Sequence, residues 1–292
     1  MRTIIRILDS LRCDARFMRV PEITLGSRVA LVLTKYLFAA LAAVRMPVPR
    51  SFRFAGRRLR CDTFFDPWFL VFAFGDERAA LSELGLLGRV SPTLVDIGAH
   101  NGETAVVWSQ LLDNPTILSF EPNPDCYEIL QRNTEGLRVQ TFNVGLGDCN
   151  GRLPFDMGPA HSFRRTFQFG EQNGNRTIPV EMRRGDELLD LPRIDLLKVD
   201  VEGYELQVLD GLRGTLSRCE YLQIEISLER PRAHRFDEIS RVFGRSSFDL
   251  VRVGHTWKER DRPVAMDIFL KNFNGLTAAP SPSEASPASR GD

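Results

Sequence analysis

The chain is predicted to be an α/β protein, a mostly parallel sheet covered by helices on both faces. Three observations predict this. From about residue 93, short apolar runs alternate with helix-length amphipathic segments. That rhythm gives parallel strands, because each strand is followed by a helix that crosses back over one face of the sheet. The polar residues of this stretch collect where the apolar runs end. Helix starts also carry capping residues where a helix needs them.

The N-terminal part comes first in the chain and differs in composition. Residues 1–60 hold thirteen Lys/Arg against three Asp/Glu, in a 292-residue chain whose formal net charge is zero. The remainder is therefore acidic by the same amount. Zero net charge gives no global attraction to nucleic acid, and no nucleic-acid partner is expected. For the basic end two readings stay open: contact with an anionic membrane surface or phosphorylated acceptor, or a solvated arginine-rich face. The run Val29–Val44 is shorter than the ~20 apolar residues a spanning helix needs, and Lys35 interrupts it. A helix packed on the domain is expected, with an interfacial helix flanked by Arg28 and Arg45 as the alternative. Five scattered cysteines without a CxxC pair argue against a disulfide framework and a structural zinc site. A cytoplasmic location, or a peripheral one at the membrane, is the expectation. Residues 1–60 read as a basic extension, 61–275 as the main domain, and the Pro-, Ser- and Ala-rich 276–292 as a disordered tail.

Within the main domain, "TLVDIGA" reads as a strand followed by the helical "ETAVVWSQLL", and "TILSFEP" as a second strand followed by "DCYEILQRN". The third strand is "LRVQTFNVGLG". After a polar stretch come "RIDLLKVDVEG", its helix "YELQVLDGL", and the strand "YLQIEIS". Asn123 is a suitable N-cap, Pro124 suits the first helical position, and Asp125 and Glu128 complement the helix dipole. Ligands of open α/β sheets bind beyond the carboxyl ends of the strands. Asp96, Gly98, Glu121, Asp148, Asp200 and Glu202 all fall at such ends.

Those residue types suit a nucleoside-bearing cofactor. In "VDIGAHNGET", Gly98 and Gly102 let the backbone approach a ligand, and the helix start favours an anionic group. The loop is D-x-G-x-x-x-G, which lacks the G-x-G-x-x-G of dinucleotide sites. Glu121 can accept both hydroxyls of a ribose. Asp200 and Glu202 end a strand that is otherwise Ile, Leu and Val, and a buried acid is costly unless paired or used. Glu202 is the candidate general base, with Asp200 orienting the acceptor or holding the reacting side of the cofactor. The alternatives are satisfaction by Lys198 and a shared divalent cation. No third ligand is evident, and metal is not favoured. A Lys198–Glu225 pair across neighbouring strands is expected.

"VDIGAHNGET", "FEPNP", "NVGLGD", "LLKVDVEGYELQVLDGL" and "IEIS", in this order, resemble the FkbM-family methyltransferases over roughly residues 60–272. The resemblance implies a class I methyltransferase (Rossmann-like) fold, a seven-stranded sheet whose last strands lie near "FDLVRVG" and "AMDIFLKN". It implies S-adenosylmethionine as cofactor and O-methylation of a hydroxyl on a sugar, glycolipid or secondary metabolite. On this basis Asp96 and Gly98 would line the methionine end of the cofactor, Glu121 would hold the ribose, and Asp148 would lie near the adenine. Asp200 and Glu202 would face the methyl group and its acceptor. Two positions depart from the family pattern. His100 stands where asparagine is commoner, and in "EMRRGDEL" only Asp186 keeps step with the usual Thr-Leu-Asp. His161, Arg164 and Arg165 lie in a segment that could cover the cleft or be ordinary solvent loop. His234 and His255 have no visible partner. Phe64, Phe65, Trp68 and Phe69 read as core first and acceptor lining second. The competing classes are an NAD(P)-dependent oxidoreductase, and a non-catalytic scaffold that retains the fold.

Overall fold

The computed structural model describes residues 2–61, 63, 66–156, 168–169, 177–228, 248–259 and 262–273. The tail 276–292 and His161, Arg164, Arg165 and His234 lie outside them, as do Phe64 and Phe65. Two helices, α1 (Arg2–Phe17) and α2 (Leu25–Ala43), open the chain, followed by a hairpin of β1 (Ser51–Phe54) and β2 (Arg57–Arg60). Next come α3 (Asp66–Glu83), β3 (Thr93–Ile97), α4 (Glu103–Leu111), β4 (Thr116–Phe120), α5 (Pro124–Thr134) and β5 (Val139–Phe142). The middle of the chain holds β6 (Gly145–Gly147), β7 (Gly151–Asp156), β8 (Gln168–Phe169), β9 (Thr177–Arg184) and α6 (Gly185–Leu188). It closes with β10 (Ile194–Val199), α7 (Glu205–Gly211), α8 (Arg213–Leu216), β11 (Cys219–Ser227), β12 (Phe248–Glu259) and β13 (Arg262–Asn272).

The main sheet has seven strands in the order β12-β13-β11-β10-β3-β4-β5. Pairs β11–β10, β10–β3, β3–β4 and β4–β5 are parallel, and β13 runs antiparallel to both β11 and β12. This is the class I methyltransferase topology. The order reverses between β3 and β10, so the carboxyl ends of these two strands and of β4 form the crevice where such a sheet takes its ligand.

The third expected strand is broken. It leaves the main sheet after Phe142, and Gly145–Gly147 pairs with β9 in a second, four-stranded sheet. The cause is close packing: a Cβ at Gly145 would stand 2.5 Å from the Met182 sulfur, and one at Gly211 would stand 1.7 Å from the Gly147 carbonyl oxygen. α5 starts as expected, with the Asn123 side chain accepting the Asp125 N–H at 2.9 Å and Pro124 in the first turn.

Side chains alternate cleanly across the sheet. Leu94, Ile117, Leu196, Tyr221 and Phe269 face α3 and α4 in one apolar cluster. Val95, Ile97, Leu118, Phe120, Leu197, Val199 and Leu222 face α7 and α8 in another. The N-terminal segment belongs to the first cluster. Phe17, Val20 and Ile23, then Leu31 and Phe38 of α2, and Phe52, Phe54 and Leu59 of the hairpin pack with Phe74 of α3 and Trp108 of α4. Ring centroids lie 5.5 Å apart for Phe17–Phe74 and 5.3 Å for Phe54–Phe74. The buried Asn133 of α5 ties the hairpin down, accepting Arg60 N–H at 2.7 Å and donating to the carbonyls of Arg60 and Asn101. At the amino ends of the central strands β10 and β11, Arg89 and Arg193 both bridge Asp195 and Glu220 at 2.5–3.0 Å.

Candidate active site

The glycine loop after β3 is fixed by its backbone. The amides of Gly98 and Ala99 both donate to the Phe120 carbonyl at 3.0 Å. Gly98 has φ +88, and a Cβ there would lie 1.9 Å from the Asp200 carbonyl oxygen. Glycine is thus required twice over, and the loop after β3 is seated on the end of β10. Gly102 caps α4 with φ +86, where a Cβ would meet Leu130 at 2.8 Å. His100 sits at φ +49. Histidine and asparagine are both enriched in this left-handed region, which explains why one replaces the other here.

Glu121 follows β4 and is buried. Its two carboxylate oxygens accept the amides of His100 and Asn123, each at 2.8 Å. Burial raises its pKa, and the nearby His100 and these amides oppose the rise. Each oxygen retains lone pairs, so the group is pre-oriented to accept the hydroxyls of a ribose. Asp96 is fully buried on β3, and neither of its oxygens has a hydrogen-bond donor. Burial, partly offset by Lys198, pushes its carboxyl up to about 7, with Asp200, Glu77 and Glu103 adding to the rise. An acceptor left so exposed to its own desolvation cost fits a ligand ammonium. These residues suit a molecule carrying both a ribose and an amino acid, the two ends of S-adenosylmethionine.

Asp148 lies near Tyr204, the residue before α7. It is exposed after β6, in the second sheet, where its carbonyl accepts Arg184 at 2.5 Å. The residue that follows β5 at the sheet's carboxyl end is Asn143, which donates to the carbonyls of Glu121 and Pro122. Sequence reasoning passed over Asn143 because the run "NVGLG" continues a strand-like composition.

The carboxyl end of β10 carries the other half of the site. The strand stops at Val199, and Glu202 turns in the left-handed region at φ +57, so the two acids do not share a strand face as expected. The turn still brings them together. Asp200, Glu202 and Glu225 each place a carboxylate oxygen within 4.8 Å of the other two. The buried Glu205 holds the turn, accepting the amides of Val201 at 3.2 Å and Gly203 at 2.9 Å. A backbone strained at Glu202 and braced from beneath is a feature of functional sites.

Lys198 pairs with Asp200 at 2.7 Å in place of the expected Glu225. The register explains it: Lys198 stands opposite Gln223, while Glu225 lies two residues further along and stands opposite Asp267 on β13. Burial opposes the charge on Lys198, but Asp200 and Asp96 outweigh it and keep the ammonium firmly protonated. Lys198 also eases the ionisation of Glu77, Glu225 and Asp267. Burial nonetheless raises all three, and Asp200 and Glu202 drive Glu225 well above the ordinary carboxylate range. The raised pKa favours the neutral form of Glu225 beside these two acids. The trio could hold a divalent cation, its third member being invisible until β11 is laid beside β10.

Glu77, Asp267 and Glu205 were missed in the sequence, for each acquires its place through packing. Glu77 accepts Trp108 Nε1 at 2.8 Å and Gln223 Nε2 at 3.2 Å beneath the site. Asp186 has a structural place, accepting Gly214 and Thr215 amides at the start of α8. His255 does have partners. Its ring lies 4.5 Å from Phe72 and 4.4 Å from Trp257, and Trp68 stacks on Phe72 at 5.7 Å. Trp257 pairs with Ala265, two residues from Asp267, so this aromatic group flanks the carboxylates.

Comparison with known proteins agrees with this geometry. Residues 96–250, just over half of the chain, match the model of the methyltransferase FkbM domain. The hexuronic acid methyltransferase AglP of Haloferax volcanii is 31% identical over 138 residues, covering 46% of this chain and 55% of that one. The methyltransferase sdnD of Sordaria araneosa is 32% identical over 157 residues, covering 42% and 61%. The 2-O-methyltransferase NoeI of Sinorhizobium fredii is 28% identical over 162 residues, covering 49% and 67%. The chain thus spans little more than half the length of the first two relatives.

Proposed function

The chain belongs to the FkbM methyltransferase family, and on that premise we propose that it transfers a methyl group from S-adenosylmethionine to a hydroxyl of a sugar-bearing acceptor. The observation that carries the proposal is the meeting of two unlike half-sites across the β3–β10 switch point. On one side lie Glu121, pinned by two amides, and the donorless Asp96. On the other lie Asp200, Glu202 and Glu225.

When bound, S-adenosylmethionine would supply an electrophilic methyl on a sulfonium. Glu121 would hold the ribose hydroxyls, and Asp96 the amino group. The glycine loop, seated on the Asp200 carbonyl, fixes the distance between the two half-sites. Glu202 would take the acceptor's hydroxyl proton as the O–C bond replaces the methyl's bond to sulfur, the neutral thioether leaving, and Asp200, anchored by Lys198, would orient that hydroxyl. Alignment of this kind can lower the barrier by up to about 7–11 kcal/mol. A positioned base adds about 10²–10⁴-fold. The half-buried Trp68 and Trp257 offer ring faces against which the apolar face of a sugar would stack. The likeness to AglP and NoeI, a hexuronic acid methyltransferase and a 2-O-methyltransferase, supports a sugar hydroxyl as the target.

Incubation with methyl-labelled S-adenosylmethionine and a panel of hexuronate-containing oligosaccharides tests the proposal. Label should appear in an ether, resistant to mild base. Trp257→Ala should raise the acceptor KM about tenfold with little change in cofactor KM. Label recovered in an ester or an amine, or only in the protein, would refute it.

A further inference from the structure

The outer face of α2 is built the wrong way round for water. Leu25, Leu33, Leu37 and Val44 are each more than half exposed, and Val29 and Tyr36 lie on the same side. The exposed positions between them are Gly26, Ala30, Ala39, Ala40 and Ala43. From Leu25 to Val44 no charged side chain is fully exposed. The two charges in this span turn toward α1 instead. Lys35 is buried, paired with Asp14 and donating to Ser10 Oγ at 2.9 Å, and the half-buried Arg28 donates to the Met18 carbonyl. Tyr36 adds its hydroxyl to Asp14 at 2.6 Å. A solvent-facing helix normally shows the opposite arrangement. Eight of the fourteen large hydrophobic residues that are exposed among the described residues lie between Leu11 and Met46.

Charge identifies what covers this face. Residues 1–60 carry ten more positive than negative charges. Arg45 is exposed at the end of α2. Arg50, Arg53 and Arg58 are exposed around the hairpin, which packs on α2 through Phe38 and Phe52, 6.1 Å apart. An apolar helix face bordered by arginines matches the boundary between acyl chains and anionic headgroups. A second copy of the chain would set the same excess of positive charge against itself. A spanning α2 would have to strip Leu31, Lys35 and Phe38 from the protein core.

We propose that the outer face of α2, residues 25–44, docks the protein on an anionic lipid bilayer with the helix lying in the plane of the interface. The proposal stands on the exposure and charge of this segment alone and is independent of the reaction catalysed.

Co-sedimentation of the full chain with lipid vesicles tests it. Binding should be strong to vesicles with about 30% phosphatidylglycerol, weak to phosphatidylcholine alone, and should fall as salt rises. Leu33→Glu with Leu37→Glu should weaken binding about tenfold or more, and so should Arg50→Glu with Arg53→Glu. Both pairs are exposed, so circular dichroism should stay unchanged. Failure of the wild type to bind either vesicle would overturn the proposal, as would equal binding by the leucine pair. A monomer–dimer equilibrium abolished by the leucine pair, without vesicle binding, would assign the face to a second copy. Resistance of bound protein to alkaline extraction would mean that α2 inserts.

Discussion

Asp96 shows how a single residue sets the terms of the site. Its carboxyl is raised from 3.8 to about 7, chiefly by burial. Below about pH 4 the group is neutral in both folded and unfolded chains, and it has no effect on stability. As pH rises toward 7 the unfolded chain ionises it first, so the folded state is penalised by up to about 4 kcal/mol, and the penalty is constant above 7. Asp96→Asn should therefore melt at a higher temperature than wild type at pH 8, with the gap closing toward pH 4. It should bind S-adenosylhomocysteine less tightly at every pH. Thermal scans of both proteins across that range check this, and a gap independent of pH would contradict it. Gly98 makes a steric counterpart. Gly98→Ala adds a Cβ 1.9 Å from the Asp200 carbonyl at φ +88, whereas Gly56→Ala, at φ +78, meets nothing within 4 Å. Chemical denaturation should show a cost of about 1–2 kcal/mol at Gly56 and clearly more at Gly98. At this scale much was legible: Gly98, Glu121, Asp200 and Glu202 are read from strand ends. The break in the third strand was not, since nothing local signals that the chain leaves the main sheet after Phe142.

Among the elements, the turn between β10 and α7 decides how the carboxylates meet. The sequence shows an apolar strand ending in acids, but the turn at Glu202 depends on Glu205, four residues from the Val201 amide that it accepts. Glu205 is a positioning residue. Glu205→Ala should lower kcat about tenfold or more while sparing cofactor affinity, and Glu205→Gln, which keeps an acceptor, should recover part of the loss. Steady-state kinetics on the three proteins distinguish this from general destabilisation, which would not be rescued in kcat. The partner of Lys198 was misread for a related reason. Strand identity is local, but the register that sets Gln223 opposite Lys198 is a property of two elements and of the sheet between them. Glu77 and Asp267 enter the site through packing and pairing of the same non-local kind.

For the whole molecule, the alternation of strands and helices was legible because it follows from periodicity, and the strand order then places the cleft between β3 and β10. How α1, α2 and the hairpin complete the cluster over α3 and α4 was less so. Their composition announces basic charge and an apolar helix, while the inward turn of Lys35 toward Asp14 appears only when α1 and α2 are placed together. The central claim is that cofactor and chemistry occupy opposite sides of one switch point. Calorimetric titration with S-adenosylhomocysteine, with NAD as control, tests it most directly on wild type, Glu121→Ala and Glu202→Ala. The account predicts saturable binding to the wild type and none of NAD, a loss of at least about tenfold for Glu121→Ala, and near-wild-type affinity for Glu202→Ala. Folded wild-type protein that does not bind S-adenosylhomocysteine, or binds it equally well without Glu121, would contradict it.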